Sequence, residues 1–213
     1  MSTKTPWIIA AAAVVTGLLL NSSASASTKS PPKKPAPKKP PPAPAAPSLA
    51  PFTPTSASYS FACQAARIAF ESIRAATQAA NPRKLRPLSS STIDKLRPLF
   101  PKLDLGRVRV AENATIPARE ISKLNIPGAA SDIDAMTFGY DIYMKGKAST
   151  KLLVHECVHV DQVRRYGGRD KFACAYGNGV VRGGMTYRGN PLEVEAYGFA
   201  DKAMTYLCGK GLV

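Results

Sequence analysis

Histidine is nearly absent from this chain: there are two in 213 residues, His155 and His159. A site of three imidazoles is therefore excluded, and any histidine chemistry must use this pair. Acidic residues are also scarce, 14 against 29 basic ones for a net charge of +15. The four cysteines, Cys63, Cys157, Cys174 and Cys208, include no CxxC pair, which argues against a four-cysteine zinc site. No internal repeat is visible. The apolar stretch from Trp7 to Leu20 has fourteen residues, short of the ~20 that span a bilayer.

That stretch follows Lys4 and leads into the small-residue run Asn21-Ser22-Ser23-Ala24-Ser25-Ala26. A basic start, an apolar middle and an A-x-A end make a secretory signal peptide, so residues 1–26 are expected to be removed on export. No cysteine follows the apolar run, so a bacterial-type lipid anchor is not expected. The expected location is secreted or periplasmic. In that setting an even number of cysteines implies two disulfides. Cys63 and Cys208 lie near the two ends of the domain, so the expected pairing is Cys63–Cys208 with Cys157–Cys174.

Residues 27–54 change to Pro, Ala, Ser and Lys, with Lys33-Lys34 and Lys38-Lys39 among prolines. Such a segment has nothing apolar to bury and favours extended polyproline conformations, so it is expected to be a disordered, semi-rigid tether. Its lysines suit anionic cell-envelope polymers. Residues 55–213 then form one domain with its own core. Setting aside Lys4 and the five lysines of the tether leaves 23 of the 29 basic residues against 14 acidic ones, a net charge of +9. These charges are scattered and no recognition motif accompanies them, so a specific nucleic-acid partner is not expected. The domain is expected to be a monomer.

Within the domain, the Ala-rich segment Tyr59 to Ala80 predicts a helix stopped by Asn81-Pro82, and Ser90 to Phe100 a second, shorter one. Val108 and Val110 alternate with arginines as in a half-buried strand, and Ala135 to Met144 predicts another strand with a turn or bulge at Gly139 and Asp141. Ser149 to Tyr166 is the clearest helix, capped by Ser149 or Thr150 and closed by Gly167-Gly168. Five glycines between Gly177 and Gly189 predict a loop. Asn190-Pro191 opens a last helix that reaches Leu207. Helices, a few strands and further helices in that order predict an α+β fold.

Both histidines fall in His155-Glu156-Cys157-Val158-His159. In so histidine-poor a chain, a chance HExxH is on the order of one in a thousand. On a helix, residues four apart project from one face, so His155 and His159 present two nitrogens to one tetrahedral Zn²⁺. Glu156 is rotated by about 100° to the edge of that face, where it acts as general base toward water at the metal's open position. Cys157 lies close to opposite the histidines and is assigned to a disulfide or the core. The valines and leucines around the rest of the helix predict burial on nearly all sides.

Catalytic zinc usually takes three protein ligands, and with no third histidine the third must be a carboxylate. Leu192, Ala196, Phe199, Ala200, Ala203 and Leu207 form an apolar stripe on the last helix. Glu193 lies about 60° from the centre of that stripe and Glu195 about 100°, on the solvent side. Glu193 is the expected third ligand, with Glu195 as the alternative, otherwise a surface residue. Gln162, one turn after His159, is expected to orient a ligand, and Asp161 to pair with a nearby arginine.

An HExxH helix followed by a glutamate on a later helix resembles the gluzincin class of zinc peptidases. More closely, Met136-Thr137-Phe138-Gly139 through Ile142-Tyr143, Leu152 through Gln162, and Asn190-Pro191-Leu192-Glu193-Val194-Glu195-Ala196-Tyr197 resemble a metallopeptidase-type domain of unknown function often found beside extracellular contractile injection systems. The resemblance covers residues 103–201. It implies a zincin-like domain with zinc at His155, His159 and Glu193, Glu156 as general base, and Ala135 to Met144 as an edge to which an extended substrate adds. Cys157 inside the motif and the export segment depart from the family. On this reading the chain is an exported zinc metalloendopeptidase acting on a protein or peptide, with cell-wall peptides among the candidate substrates. Tyr187 is the first candidate donor to the developing oxyanion, followed by Arg188, Tyr176 and Tyr197. The alternative is a catalytically idle, zinc-stabilised binding module of the cell envelope.

Overall fold

The computed structural model describes residues 42–44, 57–126 and 129–212. The expected signal peptide and, apart from 42–44, the expected tether lie outside the described residues. Helix α1, Ala57–Ala80, ends where Asn81 donates to the carbonyls of Thr77 and Thr115 and accepts from the Thr115 amide, tying the end of the helix to a distant loop. A two-residue strand β1, Arg86–Pro87, leads to α2, Ser90–Leu96. The Ser89 side chain accepts from the Thr92 amide at its start, the usual remedy for a free helix N-terminus.

A 3₁₀ turn, Leu105–Arg107, and strand β2, Arg109–Ala111, are followed by two short helices, α3, Ala118–Ser122, and α4, Ala129–Asp132. The expected strand of residues 135–144 is instead a hairpin, β3, Ala135–Phe138, and β4, Asp141–Met144. Gly139 at φ 75° makes the reversal, a backbone state open to glycine at little cost. The sheet has the order β1-β2-β4-β3, with β2 and β4 parallel and the other pairs antiparallel. Strand β3 is therefore an edge, as expected, while β4 is interior. The fold is α+β.

Helix α5, Thr150–Tyr166, begins at Ser149, whose side chain accepts from the Leu152 amide, and ends at Gly167 in the left-handed conformation. Everything from Leu153 to Val163 is buried, as the all-round apolar pattern predicts. It packs chiefly against α7, Pro191–Gly209, and also meets β3. The Asn190 side chain caps α7 by accepting from the Leu192 amide, and the apolar stripe of α7 from Leu192 to Leu207 is buried.

Two expectations are corrected. The glycine-rich segment is not a loop from Gly177 onward: α6 runs Arg169–Arg182 and includes Gly177 and Gly179. These glycines serve contact rather than turning. A Cβ at Gly177 would collide with the Ala66 side chain on α1, and one at Gly179 with the side chain of Asn190. The disulfide is Cys63–Cys174, joining α1 to α6, while Cys157 and Cys208 are free. Both expected pairings are overturned, because an unforeseen α6 lies antiparallel beside α1 and sets Cys174 opposite Cys63. Cys157 is instead a fully buried core residue. Among the described residues no helix is long and apolar enough to cross a membrane.

Candidate metal centre

Helical geometry places His155 and His159 as the sequence predicts, one turn apart on the same face of α5, with their Nε2 atoms 3.1 Å from each other. The first turn of α7 brings in Glu193, whose side chain is 2% exposed. Its Oε2 lies 3.3 Å from His155 Nε2 and its Oε1 3.4 Å from His159 Nε2. The three ligand atoms lie within 4.8 Å of one another.

This donor set fits a small divalent ion. Ligand bonds of about 2.0–2.2 Å in a tetrahedron put neighbouring donors roughly 3.3–3.6 Å apart; the two Nε2 atoms are 3.1 Å apart, and the carboxylate faces both, with one oxygen 3.3 Å from His155 and the other 3.4 Å from His159. Glu193 Oε2 is buried without a hydrogen-bond partner, a costly state for a carboxylate oxygen that a bound cation relieves.

The ring of His159 is held in one tautomer by a chain of hydrogen bonds. Gln162 Nε2 donates to the Leu192 carbonyl at 2.9 Å and to Glu195 Oε2 at 2.8 Å, which uses both its N–H groups. Its Oε1 must then accept from His159 Nδ1–H, 2.8 Å away, so that Nε2 is the nitrogen turned to the site. Glu195 is fixed in turn by Arg165 at 2.7 Å, and Arg164 and Arg165 both bind Asp161. The expected roles of Gln162 and Asp161 hold. The expectation of a solvent-facing Glu195 does not: its side chain is 9% exposed, because α5 presents Gln162 and Arg165 to that flank of α7. Glu195 is not among the three clustered donors; it supports the centre through Gln162.

Other contacts were not foreseen. The Tyr176 hydroxyl on α6 donates to Glu193 Oε1 at 2.7 Å, so Tyr176 holds that carboxylate rather than facing the cleft. Tyr197 packs on the His155 ring with centroids 4.4 Å apart, and Arg188 lies over Tyr197 at 5.9 Å. Thr137, on β3, donates to Glu156 Oε2 at 2.7 Å. The other oxygen of Glu156 stands 4.0 Å from His155 Nε2, beside the donor cluster and outside it. Thr137 and Phe138 are both buried on β3, so no alternation marks Thr137, and nothing in a single helix reveals a hydroxyl arriving from α6.

Beside the centre opens a cleft of about 240 Å³ lined by His155, Glu156, Tyr187 and Tyr197, with Asp134, Ala135, Ser149, Lys151, Leu152 and Ala200 completing it. Tyr187 thus faces the cleft. Burial first, and Glu193 second, push its hydroxyl far above the ordinary tyrosine range, so it keeps its proton and remains a donor. Without metal, burial opposes a charge on His159, but Glu193 prevails and raises its pKa to about 9. Glu193 is likewise opposed by burial yet held well below the usual carboxylate range by the histidines. Comparison with known protein families, curated proteins and solved structures finds no match to this chain.

Proposed function

We propose that the chain is an exported zinc metallopeptidase with Glu156 as its general base. The observation that carries this reading is the division of labour among buried groups. Three donor side chains converge within 4.8 Å, while Glu156 is drawn aside by Thr137 onto the wall of an open cleft. A structural zinc site closes with a fourth protein ligand and has no use for a carboxylate beside it.

His155, His159 and Glu193 would hold the ion, and two imidazoles with one carboxylate in tetrahedral array are a donor set suited to zinc. Zinc so held supplies Lewis acidity toward a peptide carbonyl and lowers the pKa of water toward ~7. Glu156 takes the proton of the attacking water and passes it to the leaving amine. Tyr187, protonated and facing the same cleft, donates to the oxygen that gains charge. The likeness of an HExxH helix with a later glutamate to gluzincins, and of the three motif segments to a metallopeptidase-type domain, supports the same class. The Cys63–Cys174 disulfide suits the oxidising compartment to which residues 1–26 would direct the chain.

The test pairs metal content of the purified protein with cleavage of a broad peptide library by wild type and Glu156→Gln. One zinc per chain in both, with cleavage in wild type alone, is the expected result. Stoichiometric zinc without Glu156-dependent cleavage refutes the peptidase and leaves the idle binding module.

A further inference from the structure

The walls of the cleft carry a charge balance opposite to that of the chain. Glu156 and Glu193 together carry two negative charges, which match one divalent cation. Lys151 lines the cleft, but its ammonium binds Asp201 at 2.6 Å, so that pair is neutral. Arg188 is directed over the ring of Tyr197 and is not part of the lining. One charged lining residue remains, Asp134, an exposed side chain just before edge strand β3 that forms no ion pair among the described residues. In a chain with 29 basic and 14 acidic residues, a cleft whose single surplus charge is negative is the exception to the surface as a whole.

Leu152, Ala135 and Ala200 provide apolar wall, and the Tyr187 ring an aromatic one. An aliphatic stem ending in a cation is the group that uses both features, laying its methylenes on the apolar wall and its charge against the carboxylate. A volume of about 240 Å³ accommodates such a side chain. We propose that Asp134 is a specificity-determining residue that selects peptides placing a lysine or arginine in this cleft. This rests on the peptidase reading and deepens it by naming the substrate class.

The test uses zinc-loaded protein and fluorescein-labelled octapeptide pools in which one position is fixed as Lys, Arg, norleucine or Glu and the others are mixed. Binding is read by anisotropy on Glu156→Gln, which traps uncleaved peptide, and cleavage on the wild type. The expected result is that Lys and Arg pools bind about twofold to fivefold tighter than norleucine, the upper range of an exposed ion pair. The advantage should shrink as salt is raised. Adding Asp134→Asn to the Glu156→Gln background should bring the Lys-to-norleucine ratio to about one, and Asp134→Lys should favour the Glu pool. Cleavage of wild-type substrates without basic preference, or a ratio unchanged in Asp134→Asn, overturns the inference and leaves the peptidase standing. No binding and no cleavage of any pool overturns both.

Discussion

Replacing both Cys63 and Cys174 by serine tests how the α1–α6 pair is held. The disulfide spans 111 residues, and closing a loop of that length lowers the entropy of the unfolded chain by an amount worth about 4.8 kcal/mol at 25 °C in the chain-entropy account. For a domain of this size each kcal/mol moves the melting temperature by about 2–4 °C, so the double variant is expected to melt roughly 10–20 °C lower. The native contacts between the helices remain without the bond: Arg67 to Asp170 at 2.9 Å, Phe70 on Phe172, and Gly177 against Ala62 and Ala66. The loss therefore falls on the unfolded state, and zinc affinity at 20 °C, read by competition with a chromophoric chelator, should change by less than about threefold, under 0.7 kcal/mol. Calorimetric melts of oxidised wild type and the double serine variant, each with and without zinc, provide the comparison. A melting shift below about 4 °C refutes the loop-entropy reasoning. A tenfold loss of zinc affinity would instead mean that the bond acts on the native site through α6 and Tyr176.

Glu195→Ala and Gln162→Leu should each weaken zinc binding by about 10–100-fold, the usual effect of removing a group that orients a ligating histidine; chelator competition checks this, and unchanged affinity in both would deny the chain of bonds to His159 any role. Thr137→Val should leave zinc stoichiometry and KM intact and lower kcat roughly tenfold through the lost hydrogen bond to a charged group, with Thr137→Ser restoring it; loss of zinc from the valine variant would show that Thr137 supports the fold instead. The metal-free protein should be most stable between about pH 4.5 and 6.5. His159, raised to about 9, contributes stability below its unfolded pKa and loses it as pH rises through 9, while Glu193, held low, contributes above the ordinary carboxylate value and loses it as pH falls further. Zinc must displace the proton on His159, so calorimetry in buffers of different ionisation heat should find about one proton released per zinc between pH 7 and 8.5, and none if His159 is neutral and Glu193 ionised without metal.

The histidine pair was legible because its geometry is local: a four-residue spacing on any helix places two rings on one face. Glu193 was legible because the apolar stripe of α7 told which side faces inward. Glu195 was misread for the same reason, since a helical wheel measures angle from a helix's own apolar face and takes no account of what the neighbouring helix offers. Arg165 and Gln162 of α5 make a part-buried polar seam on that flank. The loop expected over Gly177 to Gly189 begins only after α6; glycine required for close approach looks the same in sequence as glycine required for positive φ. Missing α6 also concealed the contact of Tyr176 with Glu193 and the position of Cys174, and with it the disulfide.

That failure separates two ways in which the centre is built. His155 and His159 come together whenever α5 is helical. Glu193 reaches them only after α7 has docked on α5, and its hydroxyl partner reaches it only after α6 has docked as well. Asn190 caps α7 and donates to the Tyr176 carbonyl at 3.3 Å, Gly179 lets α6 approach Asn190, and Gly177 lets α6 approach α1. A bulky side chain at Gly177 therefore acts on the metal centre at a distance: Gly177→Leu drives α6 off α1 and takes the Tyr176 hydroxyl from Glu193. Its effect should fall on zinc affinity with the α5 helix intact, so that far-ultraviolet circular dichroism is nearly unchanged while chelator competition shows a weaker site. Equal loss of helicity and affinity would instead mean that α5 itself depends on α6, and that the histidine pair is no more local than the carboxylate.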